Sequence, residues 1–192
     1  MIPGLDFVAV DVETANRKRG SVCSIGLARV RDGVIIKARS WLVQPPVAES
    51  AGGGVFEMRC VQVHGITPKA IENAPRLADR YEALIRGLAD DLLVAHNATF
   101  DRTALTAACE AEGLPGPGNR WLCTVEESRS VLRDMRLPNH RLPTVAAALG
   151  ITQIRHHEAG DDAKVAALVR IELAAIAAGL RTLPQYELVE PA

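Results

Sequence analysis

The chain has 192 residues, 48% of them hydrophobic and 23% charged, enough for one globular domain to bury a core without disulfides or a structural metal. Lys and Arg number 22 against 23 Asp and Glu, a formal charge of −1. That balance excludes a strongly basic surface that gathers nucleic acid through a whole-molecule field, so any polyanion has to be held locally.

Residues 5–12 are a β-branched, apolar run, and 24–30 and 34–43 follow as further strand candidates. Asp32-Gly33 between the last two predicts a tight hairpin, making them antiparallel neighbours. Residues 45–57, rich in Pro, Gly and Ala around Gly52, Gly53 and Gly54, read as a mobile loop. In 75–89 the positions Leu77, Tyr81, Leu84, Ile85 and Leu88 mark one face of a helix leading into a strand at 92–95.

A second helix over 98–112, with Leu105, Ala108 and Cys109 inward, stops at Gly113 before the break at 114–118. A fifth strand is expected at 121–125, and Thr124 is expected to cap a helix over 125–132. A short helix at 142–149 and a last one from about 160 to 178 complete the pattern. The most apolar stretch, 163–180, is interrupted by Lys164, Arg170 and Glu172, so it reads as a core helix and not a membrane span. Cys23, Cys60, Cys109 and Cys123 show no CxxC spacing and the chain opens without a signal-like segment, which points to reduced thiols in a cytoplasm. The expected fold class is α/β, a mixed five-stranded sheet flanked by helices, in a single domain over 1–180 with a short tail at 181–192.

Asp11 and Glu13 lie two apart on a strand, so alternation sends both to one face. Asp101 falls in the first turn of a helix that follows the strand ending at His96 and Asn97, the sheet edge at which α/β proteins build sites. Asp162, with Asp161 beside it, opens the last helix. Taken singly, each acid is ordinary, a strand end or a first-turn residue favoured by the helix dipole. Brought together, they carry about four negative charges that protons or cations must neutralise. Two hard divalent cations balance that count, and a pair of them suits in-line displacement at phosphorus. His157, five residues before Asp162, can take a proton near neutral pH, and no further Cys or His lies at ligand spacing to make its pairing with His156 a structural zinc site.

Asp11-Val-Glu13-Thr14, His96-Asn-Ala-Thr-Phe-Asp101 and His157-Glu-Ala159-Gly-Asp-Asp162-Ala163 resemble, in order and spacing, the three motifs of the DnaQ-like exonuclease superfamily. The likeness spans about residues 5–175 and includes Val63-His-Gly-Ile-Thr67, similar to a segment of polymerase III epsilon-type members. A His five residues before the last Asp places the chain in the histidine (DEDDh) branch. The resemblance implies a ribonuclease H-like fold and a 3′-to-5′ exonuclease using two Mg²⁺ or Mn²⁺ ions. By that likeness Asp11 bridges both ions, Glu13 and Asp162 complete the first, Asp101 holds the second largely through water, and His157 deprotonates the attacking water. The same likeness puts the backbone of Thr14 and Ala15 against the terminal nucleotide and His64 and Phe100 near its base or sugar.

The implied partners are nucleic acid 3′ ends and a DNA polymerase subunit. The first motif lacks the Asp-Leu-Glu-Met-Thr-Gly form of oligoribonuclease-like members, which ranks DNA above RNA. A non-catalytic binding module ranks last, because it would be expected to have lost a metal ligand and all five positions are present. The tail sequence from Leu183 to Val189 is no convincing sliding-clamp peptide, which favours a stand-alone nuclease over a tethered subunit. Two basic runs, Arg17-Lys18-Arg19 and the stretch holding Arg129, Arg133, Arg136, His140 and Arg141, are candidate phosphate grips.

Overall fold

A computed structural model describes residues 1–153 and 155–183, so residues 184–189 of the proposed tail peptide lie outside the described residues. The strands are β1 (Phe7–Thr14), β2 (Val22–Arg31), β3 (Val34–Leu42), β4 (Leu93–Ala95) and β5 (Trp121–Cys123). They form one sheet in the order β3-β2-β1-β4-β5, with β1, β2 and β3 antiparallel and β4 and β5 parallel to β1. The helices are α1 (Met58–His64), α2 (Leu77–Leu88), α3 (Ala98–Ala111), α4 (Thr124–Val131), α5 (Leu142–Ala148) and α6 (Ala159–Ala177). Asp32 and Gly33 join β2 to β3 with φ of 48° and 73°, the left-handed pair that a two-residue hairpin turn requires.

β1 is the axis of the molecule. Its even-numbered residues Val8, Val10 and Val12 join Leu84 and Leu88 of α2 and Leu105 of α3 in the largest core cluster. Its odd-numbered residues Phe7 and Ala9 pack instead with Ala163 and Ala167 of α6. Carried two residues further, that odd register places Asp11 and Glu13 on the face covered by the first turns of α6. α6 reaches the sheet closely because Gly26, opposite Asp11 on β2, has no side chain: a Cβ there would stand 1.9 Å from the Ala159 carbonyl oxygen.

Three expectations change. Thr124 is the first residue of α4, not its cap; Cys123 holds the cap position without a side-chain bond, and the Thr124 hydroxyl is 2.9 Å from His96 Nδ1. The expected 121–125 strand therefore stops at Cys123. The segment 45–57 is tied down: it carries a 3-10 turn at Glu49–Ala51 with Ala51 buried, Asn16 Nδ2 donates to the Val55 carbonyl at 2.6 Å, and Glu57 N–H donates to Ala15 at 2.8 Å. Among the described residues no helix is long and apolar enough to cross a membrane, and all four cysteines are free thiols.

Candidate active site

Asp11, Glu13, Asp101 and Asp162 line one cleft of about 690 Å³, together with Phe100, His156 and His157. Asp11 and Glu13 come from β1, Asp101 from the first turn of α3, and Asp162 from the first turn of α6. Asn97, in the left-handed region at φ 75°, turns the chain from β4 into α3 and so sets Asp101; Asn is among the few side chains that accept that geometry. Glu158 caps α6, its carboxylate accepting from the backbone N–H of Gly160 at 3.2 Å and Asp161 at 3.0 Å.

Single carboxylate oxygens of Asp11, Glu13 and Asp162 lie within 4.8 Å of one another. Asp101 stands beside this trio, its Oδ1 accepting the Val12 N–H at 3.1 Å. Asp101 is 2% and Asp162 4% exposed, and among the described residues the buried Asp11 Oδ2 has no hydrogen-bond partner. Burial first, and then the neighbouring carboxylates, push Asp11 well above the usual carboxylate range. Burial followed by Asp162 and Asp101 lifts Glu13 to about 8. Burial lifts Asp101 to about 8 against the opposing pull of its backbone hydrogen bonds. Burial also raises Asp162, opposed by His156. Such a cluster holds protons at neutral pH unless a cation replaces them.

His157 sits at φ 62°, its backbone N–H donating to Asp162 Oδ2 at 3.1 Å and its ring stacked on His156 at 3.8 Å between centroids. Burial and the neighbouring His156 and His64 lower its pKa, favouring the neutral form that accepts a proton. His156 Nδ1 is 3.6 Å from Asp162 Oδ1.

Of the expected substrate residues, half-buried Phe100 lines the cleft with the Arg19 guanidinium 4.5 Å over its ring. His64 lies at the end of α1, its Nδ1 accepting from Ile66 N–H at 3.0 Å and its Nε2 3.2 Å from the Thr14 carbonyl. The Ala15 backbone is engaged internally, its N–H with Ser21 at 2.8 Å and its carbonyl with Glu57 at 2.8 Å. Of the basic runs, Arg19, His140 and Arg141 come to the cleft, whereas Arg17 pairs with Glu57 at 3.0 Å and Arg133 with Asp134 at 3.8 Å on the surface.

Two supporting roles were not anticipated, that of Gln153 and the bridging one of the motif residue His96. Gln153 Nε2 donates to Asp162 Oδ1, and a lone Gln in irregular sequence carries no signal that could have announced it. His96 bridges β4 to the far wall: Nε2 is 2.9 Å from the His140 carbonyl and Nδ1 2.9 Å from the Thr124 hydroxyl. Burial drops its pKa to about 4, so the imidazole is neutral and its Nε2 N–H donates to the carbonyl while Nδ1 accepts the hydroxyl proton.

The family model described as Exonuclease (RNase T) matches residues 8–169. The PolC-type DNA polymerase III of Oceanobacillus iheyensis is 29% identical over 82% of the chain and 11% of its own length, and that of Bacillus cereus 27% identical over 87% and 11%. The chain spans only between 11% and 25% of the curated relatives it matches. Exonuclease X in complex with 5′ overhanging duplex DNA superposes with a TM-score of 0.68 at 22% identity, covering 92% of this chain and 94% of that one. The nuclease domain of 3′hExo, a DEDDh family member bound to rAMP, gives 0.70 at 15% identity over 99% and 100%. The fold is thus the ribonuclease H-like mixed sheet of exonucleases. Because the family match runs through β1, α3 and the first turns of α6, the elements that carry the four acids, the chain belongs to the RNase T family of exonucleases.

Proposed function

We propose that the chain is a 3′-to-5′ exonuclease that releases nucleoside 5′-monophosphates from single-stranded DNA ends with the help of two divalent cations. The observation that carries this reading is the gathering of Asp11, Glu13 and Asp162 oxygens within 4.8 Å, the buried Asp11 Oδ2 having no hydrogen-bond partner among the described residues. An all-carboxylate donor set with raised proton affinity fits Mg²⁺ or Mn²⁺, hard ions that take oxygen ligands. Asp11, Glu13 and Asp162 would hold one ion, and Asp11 and Asp101 the other. When bound, such ions supply Lewis acidity at the phosphodiester and offset the charge that builds up as the bond to the 3′ oxygen breaks.

The chain's own groups do the rest. His157, neutral because burial lowers its pKa, takes the proton of the attacking water. Phe100 offers its ring to the terminal nucleotide and Arg19, Arg141 and His140 offer charge and donors to the strand that follows. Thr14 and His64, joined at 3.2 Å, flank the carboxylates on the side of α1.

DNA is ranked first because relatives named as DNA polymerase III share the segment, which also makes a polymerase the favoured partner. RNA is the second reading, supported by the comparable superposition on a nuclease bound to rAMP. Digestion of matched 3′-labelled DNA, mismatched duplex and RNA oligomers with Mg²⁺ tests both. Mononucleotide release from DNA, abolished by EDTA, is expected. Faster release from RNA reverses the ranking, and no release from either refutes the proposal.

A further inference from the structure

A second group of donors overlaps the carboxylates. His156, His157 and Asp162 each bring one ligand atom to within 4.8 Å of the others. Counting only Cys and His along the sequence misses this set, because a carboxylate completes it. His156 Nδ1 lies 3.6 Å from Asp162 Oδ1, longer than a good hydrogen bond and close to the ~3.4 Å that separates two donors on a tetrahedral ion with bonds of about 2.0–2.2 Å. The two rings are held side by side, 3.8 Å between centroids, by a backbone locked at φ 62° and tied through the His157 N–H to Asp162. The His156 side chain is 44% exposed, so an ion reaches the group from solvent.

The two overlapping groups differ in chemistry. Asp11, Glu13 and Asp162 offer only hard oxygens, whereas two imidazoles and a carboxylate are the donors that zinc and its borderline neighbours take, with a position left for water. Asp162 belongs to both sets. We infer that His156, His157 and Asp162 form a Zn²⁺-class site overlapping the oxygen site, at which a bound ion draws Asp162 away from the oxygen site, occupies His157 and switches the nuclease off. The inhibitory half of this inference rests on the roles assigned above to Asp162 and His157; the binding half rests on geometry alone.

Co²⁺ replaces Zn²⁺ as a visible probe that needs no catalysis. Wild-type protein without Mg²⁺ should give the d–d absorption of a low-coordinate nitrogen and oxygen site. His156→Ala and His156→Gln should weaken that binding tenfold or more, since disturbing even a supporting partner of a metal ligand costs about 10–100-fold. In the Mg²⁺-supported assay, the Zn²⁺ concentration for half-inhibition, read against each protein's own zinc-free rate, should be at least tenfold higher in both variants than in wild type. A thiolate charge-transfer band, which places the ion on a cysteine, overturns the inference, as does equal zinc sensitivity of wild type and both variants. Absence of Mg²⁺-dependent nuclease activity refutes the proposed function, and the Co²⁺ spectra then still decide the site.

Discussion

The two faces of β1 use one strand for opposite ends. Val8, Val10 and Val12 are at most 3% exposed and end in the apolar cluster under α2 and α3, whereas the alternating Phe7 and Ala9 give way to Asp11 and Glu13 beside α6. One face lowers the free energy of the fold, each fully buried Val or Leu contributing about 1.5–3 kcal/mol. The other face raises it, since buried carboxylates in mutual contact are favourable only when protons or cations compensate them. Stability and chemistry are therefore separated by a single residue of register.

The sharpest way to break the comparison is Asp11→Asn. It should cost on the order of 10³-fold or more in exonuclease rate, several kcal/mol of lost transition-state stabilisation. Its melting temperature in chelator should match or exceed that of wild type; a fall would mean that Asp11 supports the fold. On the opposite face, Leu27→Ala, paired across from Val10, should lose about 2–5 kcal/mol in denaturant unfolding with little change in kcat at a temperature where it is folded.

A titration sharpens the contrast further. Glu13 and Asp101 are lifted by burial to about 8, so the folded chain holds protons there that the unfolded chain releases above about pH 4. In EDTA this contribution to stability is complete at low pH and is lost as the pH rises through about 8. Mg²⁺ should accordingly raise the melting temperature more at pH 8 than at pH 5, and a pH-independent increment would contradict the assigned cluster. The smallest effect belongs to Gln153→Ala, which frees one Asp162 oxygen: kcat should drop about tenfold with KM for the oligomer unchanged.

What could be read in the sequence follows from the range of the interactions. Alternation on β1, the Asp32-Gly33 hairpin and the apolar stripe of α2 are local patterns, and each appears in the fold. α1 has no buried residue, so there was no apolar face to reveal it. Thr124 has capping chemistry, but its hydroxyl is drawn to His96, twenty-eight positions away along the chain. The 45–57 segment is held by Asn16 and Ala15, again through distant partners. Within the site, the acids announced themselves by motif, whereas Gln153 reaches Asp162 from an irregular segment nine positions away, and the gap left at Gly26 matters because α6 folds back over β2.

That return of α6 has a mechanical consequence. At Gly26 main chain rests on main chain, so the interval between the strand bearing Asp11 and the helix bearing Asp162 is gauged by the polypeptide itself, without a flexible side chain as a spacer. Such a gauge has little slack. The amide protons of Asp11 and Gly26 should exchange only when the whole domain opens, and catalysis should persist on warming until the cooperative melt instead of fading ahead of it.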